Sequence, residues 1–424
     1  MKLLNLRLID GAGNIKERVD LELEDASGRI SRISRAEEHA TTDSPDNPAM
    51  QDALDLAGMT ATPGLFNCHI HIMMDGGANP NATVAANPVV YQTLQAAKRG
   101  QAMLEAGITT ARDLGGVQFA EMSLRQAFAE GWLPGPRLLV SGPVLTMTGG
   151  HGNFIGTEVD GPDEARKAAR FNIKQGADCI KMMASGGVMT PGVDPNSPSL
   201  TEEELRAGFE EAIKAGKLTA SHAQAAEGIK NALRAGVRTI EHGIFVDEEG
   251  IRLLLERGAY IVPTLAAPYQ ITRYGVANGV PKYMVEKSER IMEAHLRNIA
   301  AAWKAGVKIA CGSDAGTPFN AHNALVTELT MMQQIGMSAM EAIRAATSVA
   351  AEAMMLEQQV GTLAPGQFAD IIVLANDPLA DLAAFGQPEL VFKAGKLVFD
   401  RSATRNQGAA LPVMEHSQPQ DHFC

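Results

Sequence analysis

Along most of this chain, short apolar runs rich in β-branched and aliphatic residues alternate with longer stretches in which apolar positions recur every three or four residues. The first pattern predicts buried strands and the second amphipathic helices. The strand-like runs fall at 62–70, 108–113, 137–142, 178–183, 217–222, 238–242, 260–264 and 307–313. Most follow a glycine, as in Glu105-Ala-Gly-Ile-Thr-Thr and Lys304-Ala-Gly-Val-Lys-Ile-Ala. That recurrence predicts helices that end in a left-handed glycine and lead directly into the next strand. Strands alternating with helices in this number predict an α/β fold, a (β/α)8 TIM barrel.

The two ends of the chain carry another texture. Residues 2–10 and 19–34 alternate apolar and polar positions around Asp10-Gly11-Ala12-Gly13, a hairpin pattern, and strands return in 370–374 and 390–399. They predict a small β-sandwich domain formed by both chain termini, residues 1–58 with 360–410, beside a barrel over 59–359. The polar stretch Thr41–Pro48 reads as a loop, 324–356 as helical, and 411–424 as a flexible tail.

Composition narrows the function classes. The chain has 424 residues, 45% hydrophobic and 20% charged, with a net charge of −12. An acidic balance without a Lys/Arg cluster argues against nucleic acid or an anionic membrane as partner. No apolar run reaches membrane-spanning length, and the N-terminus lacks the apolar stretch and cleavage site of a signal peptide, so a cytoplasmic enzyme is expected. Cys68, Cys179, Cys311 and Cys424 are scattered, which supports neither a disulfide framework nor a structural zinc site.

In a barrel of this kind chemistry sits at the C-terminal ends of the strands. There the sequence places His69 and His71 on the first strand, Lys181 on the fourth, His222 on the fifth, His242 on the sixth and Asp314 on the eighth. Side chains at i and i+2 of a strand share a face, so His69 and His71 can grip one ion while Cys68 and Ile70 face away. Lys181 by itself reads as a strand-end lysine reaching solvent. Its place ahead of His222 and His242 reverses that reading. Asp314 also suits a helix cap, and the two roles are compatible.

With these residues, with Thr62-Pro-Gly-Leu, and with Ala346-Thr-Ser-Val-Ala-Ala and Pro365-Gly-Gln-Phe-Ala-Asp-Ile-Ile-Val-Leu, the chain resembles the amidohydrolase superfamily over nearly its whole length. The resemblance is to its prolidase-like and imidazolonepropionase-related metal-dependent hydrolases. It implies two divalent metal ions, usually zinc, with His69, His71 and Asp314 on one and His222 and His242 on the other. Lys181 would bridge them as a carbamate derived from carbon dioxide. An ammonium cannot ligate, whereas desolvation and nearby cations favour the neutral amine that carboxylation requires.

The resemblance further implies that Asp314 takes the proton of a metal-activated hydroxide and passes it to the departing amine, while His151, on a glycine-rich loop, polarises the scissile carbonyl. The implied substrates are dipeptides such as Xaa-Pro, or N-acyl amino acids, including the amide of ochratoxin. A substrate carboxylate would meet Arg112 or the loop residues Tyr269, Arg273 and Tyr274; Arg112 has an alternative as an ion pair with Asp113. Two other readings stay open: a mononuclear cyclic-amide hydrolase or deaminase of the imidazolonepropionase type, and an inactive barrel scaffold. A homo-oligomer is also implied. His322 reads as structural, and His39, His295, His416 and His422 have no supporting context.

Overall fold

The computed structural model describes residues 1–36 and 53–406; the loop expected at Thr41–Pro48 and the tail expected at 411–424 lie outside the described residues, as do His39, His416 and His422. The architecture is α/β. Strand Lys2–Ile9 pairs antiparallel with Ile15–Glu24, and that strand with Arg29–Arg35. The turn forms where the pattern predicts it, because the Asp10 carboxylate accepts the N–H groups of Ala12, Gly13 and Asn14. On its other edge Lys2–Ile9 runs parallel to Ala53–Asp55 and Thr60–Pro63. Thr60–Pro63 in turn pairs with Ile371–Leu374, followed by Leu390–Lys393 and Lys396–Asp400. Both ends of the chain therefore share one eight-stranded sheet with its own core of Leu3, Leu6, Leu8, Leu21, Ile371 and Phe392.

The run expected as one strand over 62–70 is divided at Gly64. Residues 60–63 belong to the terminal sheet and the barrel strand begins at Leu65. A Cβ at Gly64 would lie 2.1 Å from the Thr109 hydroxyl, so only glycine lets the chain cross between the sheets there.

Among the described residues ten further strands run parallel: β1 (Leu65–Ile70), β2 (Ile108–Asp113), β3 (Arg137–Val140), β4 (Cys179–Met183), β5 (Leu218–Ala223), β6 (Thr239–His242), β7 (Tyr260–Val262) and β8 (Lys308–Ile309), with the two short strands Val144–Thr146 and Gly156–Glu158 added beside β4. β1 to β3 pair in order, as do β4 to β8. One seam between the two groups is bridged by Asp178 N–H donating to the Val140 carbonyl. The other is bridged by Cys68 N–H to the Cys311 carbonyl and Asp314 N–H to the His69 carbonyl. Six of the strands β1 to β8 follow a glycine at positive φ, namely Gly107, Gly176, Gly216, Gly236, Gly258 and Gly306 at +82°, +100°, +66°, +96°, +61° and +95°, as the recurrent pattern requires.

Two helical expectations change. Residues 266–274, expected as loop, form α1 (Ala266–Tyr274), and the chain continues into α2 (Lys282–Lys304). The N-terminus of α1 is satisfied from a distance: the buried Glu328 carboxyl accepts the N–H groups of Leu265 (3.0 Å) and Ala266 (2.7 Å). The stretch expected as helical over 324–356 is three helices, α3 (Val326–Gln334), α4 (Ala339–Ala345) and α5 (Ser348–Ala353). Gly336 at φ +103° ends the first, and Ser338 starts the second with a capping box to Glu341. No described helix is long and apolar enough to cross a membrane.

Candidate metal centre

At the C-terminal ends of these parallel strands, His69, His71, Lys181, His222, His242 and Asp314 line one cavity, together with the half-buried His151. The strand order brings together residues up to 245 positions apart, from His69 to Asp314, and sheet register fixes their heights. Ligand-capable atoms of His69, His242 and Asp314 all lie within 4.8 Å of one another. His69 Nε2 and His71 Nε2 approach Asp314 Oδ1 at 3.4 and 3.3 Å.

Strict alternation does not hold on β1. Its pairing with β2 slips between Asn67 and Ile70, so Cys68 joins the interior cluster with Cys179, Ala220 and Val262 while His69 also points inward. Two other strand ends use strained backbone for the same purpose: His242 has φ +73° and Asp314 φ +58°. Non-glycine residues in the left-handed region cost on the order of 1–3 kcal/mol and persist where surrounding contacts hold them.

Hydrogen bonds determine which imidazole nitrogen is free. Thr264 donates its hydroxyl proton to the Pro263 carbonyl (2.7 Å), so its oxygen accepts from His242 Nδ1 (2.6 Å) and leaves His242 Nε2 bare. The Gly186 carbonyl accepts from His222 Nε2 at 2.8 Å, which leaves Nδ1 bare. A Glu241 oxygen takes His69 Nδ1 at 2.9 Å, which frees Nε2. In each ring the bare nitrogen is the one available to a cation.

Burial reinforces this state. It drives His69, His222 and His242 well below the ordinary imidazole range, so they are neutral donors. Burial also brings the Lys181 ammonium down to about 8. Burial opposes ionisation of Asp314, but His69, His71 and Lys181 outweigh it and hold the carboxyl at about 2. Asp314 Oδ1 is buried with no hydrogen-bond partner among the described residues. Neutral imidazoles, a carboxylate and an orphaned buried oxygen are a donor set that fits a divalent cation.

His151 is held by Thr190. The hydroxyl accepts from Gly152 N–H (3.2 Å) and meets His151 Nδ1 at 3.0 Å, which fixes the orientation of the ring and leaves Nε2 outside that contact. Burial lowers this imidazole to about 3, so it stays neutral. Much of the remaining wall is apolar, with Met74, Phe154, Met183, Val188, Met189 and Ile271.

Four expected substrate contacts are corrected. Arg112 is entirely buried, and each of its three nitrogens is engaged below the cavity, by the Cys68 carbonyl (2.8 Å), Thr239 Oγ1 (3.1 Å) and Glu241 Oε1 (2.9 Å). Its ion-pair partner is Glu241 and not Asp113, whose carboxylate accepts the N–H groups of Ile72 and Gly115. Tyr269, Arg273 and Tyr274 do not line the cavity either. Helix α1 turns Ala267, Pro268 and Ile271 inward instead; Tyr274 stacks on Phe319 at 4.2 Å and Arg273 is exposed.

His322, read from the sequence as structural, and His295, given no role there, are each buried and take the backbone carbonyls of His71 (3.0 Å) and His242 (3.2 Å), while one residue of the site went unnoticed. Gln224, 4% exposed, faces the cavity with its Oε1 unpartnered among the described residues. The signal for Gln224 was its place two residues beyond His222, on the same strand end. Nothing in the local sequence pointed to His295, which sits within a helix.

The model of the amidohydrolase family matches residues 60–398. An ochratoxinase of Aspergillus niger is 32% identical over 366 residues, 79% of this chain and 75% of that protein. The crystal structure of a Xaa-Pro dipeptidase with methionine bound in its active site is similar at a TM-score of 0.84 and 31% identity, covering 93% of this chain and 98% of that one. A prolidase complexed with N-methylphosphonate-L-proline gives a TM-score of 0.85 at 31% identity, covering 94% and 99%. The fold of these relatives implies a TIM barrel with an additional domain.

Proposed function

Because this chain belongs to the amidohydrolase family, it is a metal-dependent amide hydrolase, and we propose that it uses two divalent ions, zinc foremost, to cleave dipeptides or N-acyl amino acids. The supporting observation is the convergence of four histidines, Asp314 and a buried lysine on one cavity. In this reading His69 Nε2, His71 and Asp314 hold one ion, and His222 Nδ1 and His242 Nε2 hold the other. Lys181 would serve both ions as a carbamate, formed when its neutral amine adds to carbon dioxide and loses a proton. Its burial favours that amine. The two seam-bridged sheets are read as one (β/α)8 barrel over 59–359, carrying a β-sandwich domain of both chain termini, 1–58 with 360–410.

When bound, the ions supply an acidified water and polarise the amide carbonyl. The chain's own groups do the remainder. Asp314 would accept the proton of the attacking water on the carboxylate oxygen not given to an ion, and return it to the leaving nitrogen. His151, oriented through Thr190, would in its Nε2–H tautomer donate to the carbonyl oxygen as negative charge develops on it. The apolar wall of Met74, Phe154, Val188, Met189 and Ile271 favours a bulky apolar acyl or amino-terminal side chain. Relatives that are named as a Xaa-Pro dipeptidase and as ochratoxinase support Xaa-Pro peptides and the ochratoxin amide as members of that set.

The test is a library of dipeptides and N-acyl amino acids assayed with zinc-loaded and chelator-treated protein, with metal counted per chain. Hydrolysis of apolar members that disappears with the chelator, at two ions per chain, is the expected result. One ion per chain with cleavage of cyclic amides would replace this reading by the mononuclear one. Failure to bind zinc or to cleave any amide would return the chain to an inactive scaffold.

A further inference from the structure

Beneath the cavity lies a charged network that ties three strands together. Glu241 on β6 offers Oε2 to His69 Nδ1 on β1, at 2.9 Å, and Oε1 to Arg112 Nη2 on β2, at 2.9 Å. Thr239 donates to the same Oε1 at 2.5 Å, and Arg112 Nε closes the circuit on the Cys68 carbonyl beside His69. Glu241 and Arg112 are wholly buried. The three ligand imidazoles whose second nitrogen is engaged are thus held by unequal means. His222 relies on a backbone carbonyl and His242 on a hydroxyl already committed to another carbonyl, whereas His69 relies on a carboxylate whose charge Arg112 balances.

We infer that Glu241 is a positioning residue that selectively supports the ion on the β1 side, by fixing His69 in the tautomer whose Nε2 is bare. A buried carboxylate can only accept a hydrogen bond, so it obliges His69 Nδ1 to carry the proton. Arg112 lets that carboxylate stay charged without a solvent shell. In Glu241→Gln, the amide keeps the volume but can turn its NH2 toward His69. That orientation puts the proton on Nε2 and removes it as a ligand. The opposite orientation sets the NH2 against the donors of Arg112 and Thr239. Neither alternative reaches His222 or His242, so the effect is confined to one of the two ion positions.

This inference rests on the two-ion reading, and its test separates the two. Zinc is titrated into the full chain against a chromophoric chelator, for the parent and for Glu241→Gln. The parent should take two equivalents, and the variant one of parental affinity and one weakened by about 10–100-fold, the usual range for loss of an outer-shell partner. Equal weakening of both equivalents, or none of either, overturns the inference. Should the variant fail to fold, 15N-histidine NMR of the parent protein decides instead, with His69 assigned through His69→Asn. Protonation of His69 at Nδ1 supports the role of Glu241, and protonation at Nε2 overturns it. A parent that takes up a single equivalent ends the two-ion reading, while the tautomer still decides on Glu241.

Discussion

The floor and the roof of the cavity are held by different means. On the floor, His69, Lys181, His222, His242 and Asp314 are set by the register of parallel strands, and their outer partners come mostly from adjoining strands and turns. The roof includes Val188 and Met189 from residues 184–199 and Ile271 from α1, and tethers from remote parts of the chain hold it. Lys287 on α2 donates to the carbonyls of Gly187, Thr190 and Val193 at 3.0, 2.6 and 2.5 Å. Tyr283 and Asn81 both donate to the Met189 carbonyl, and Glu328 holds the start of α1. A floor built on register tolerates no displacement of its groups, because they perform the reaction. A roof hung from side chains can be re-tethered, so there a substitution alters which substrate fits.

The contrast is sharpest for Lys181→Ala and Asp314→Asn, where the largest losses are expected. Lys181→Ala removes the group proposed to join the two ions, and Asp314→Asn removes the proton acceptor. Each should lower kcat by at least about 10²–10⁴, the range for loss of a general base alone. Purified variants assayed with excess zinc report this, with circular dichroism to confirm folding. Full activity in both would break the comparison at its base, since the floor would then not carry the chemistry.

A middle effect is expected at the tether itself. Lys287→Met keeps an unbranched apolar stem but removes the ammonium, which lies 5.6 Å from the Tyr283 ring centroid and is the shared donor to three carbonyls. Loss of hydrogen bonds to a charged group costs about 1.5–3 kcal/mol, part of it recovered where water reaches the loop. Because Thr190 orients His151 from this same loop, the variant should show a raised KM, a smaller fall in kcat, and earlier proteolytic nicking within 184–199. An unchanged KM for bulky apolar substrates, with stability lost, would show that the tether supports the fold and not the wall.

The same contrast explains what could be read from the sequence. Strand-end residues announce themselves, because a short apolar run ending in His or Asp is a local pattern, and parallel register then brings such ends together. His69, His222, His242 and Asp314 needed nothing more. Arg112 misled because it also stands near a strand end, yet its side chain turns into the interior toward Glu241, a partner 129 residues away. Glu241 itself was hidden beside His242, since alternation assigns neighbours to opposite faces and the positive φ of His242 defeats that rule. The roof was the least legible part. Lys287 and Glu328 act on segments 94 and 62 or more residues away, and no periodicity carries such information.

The smallest expected effect, at Arg273, tests the correction made on α1. A cation on the loop after the seventh strand is a natural candidate for a substrate carboxylate, but the helix formed there turns Ala267, Pro268 and Ile271 toward the cavity. Positions 267, 268 and 271 lie on one helical face, and 273 lies about two positions, some 200°, beyond 271, on the opposite side. Arg273 is exposed, with its guanidinium 5.8 Å from the Tyr274 ring centroid, a weak contact. Arg273→Ala should therefore change stability by no more than about 0.5 kcal/mol and leave kcat/KM nearly unchanged. The informative assay pairs each N-acyl amino acid with its carboxamide, so that a lost ion pair appears as a change in their ratio. If the carboxylate member alone lost about tenfold, equivalent to 1.4 kcal/mol, then α1 must turn or unwind when substrate binds, and the roof would be a mobile binding element and not a fixed wall.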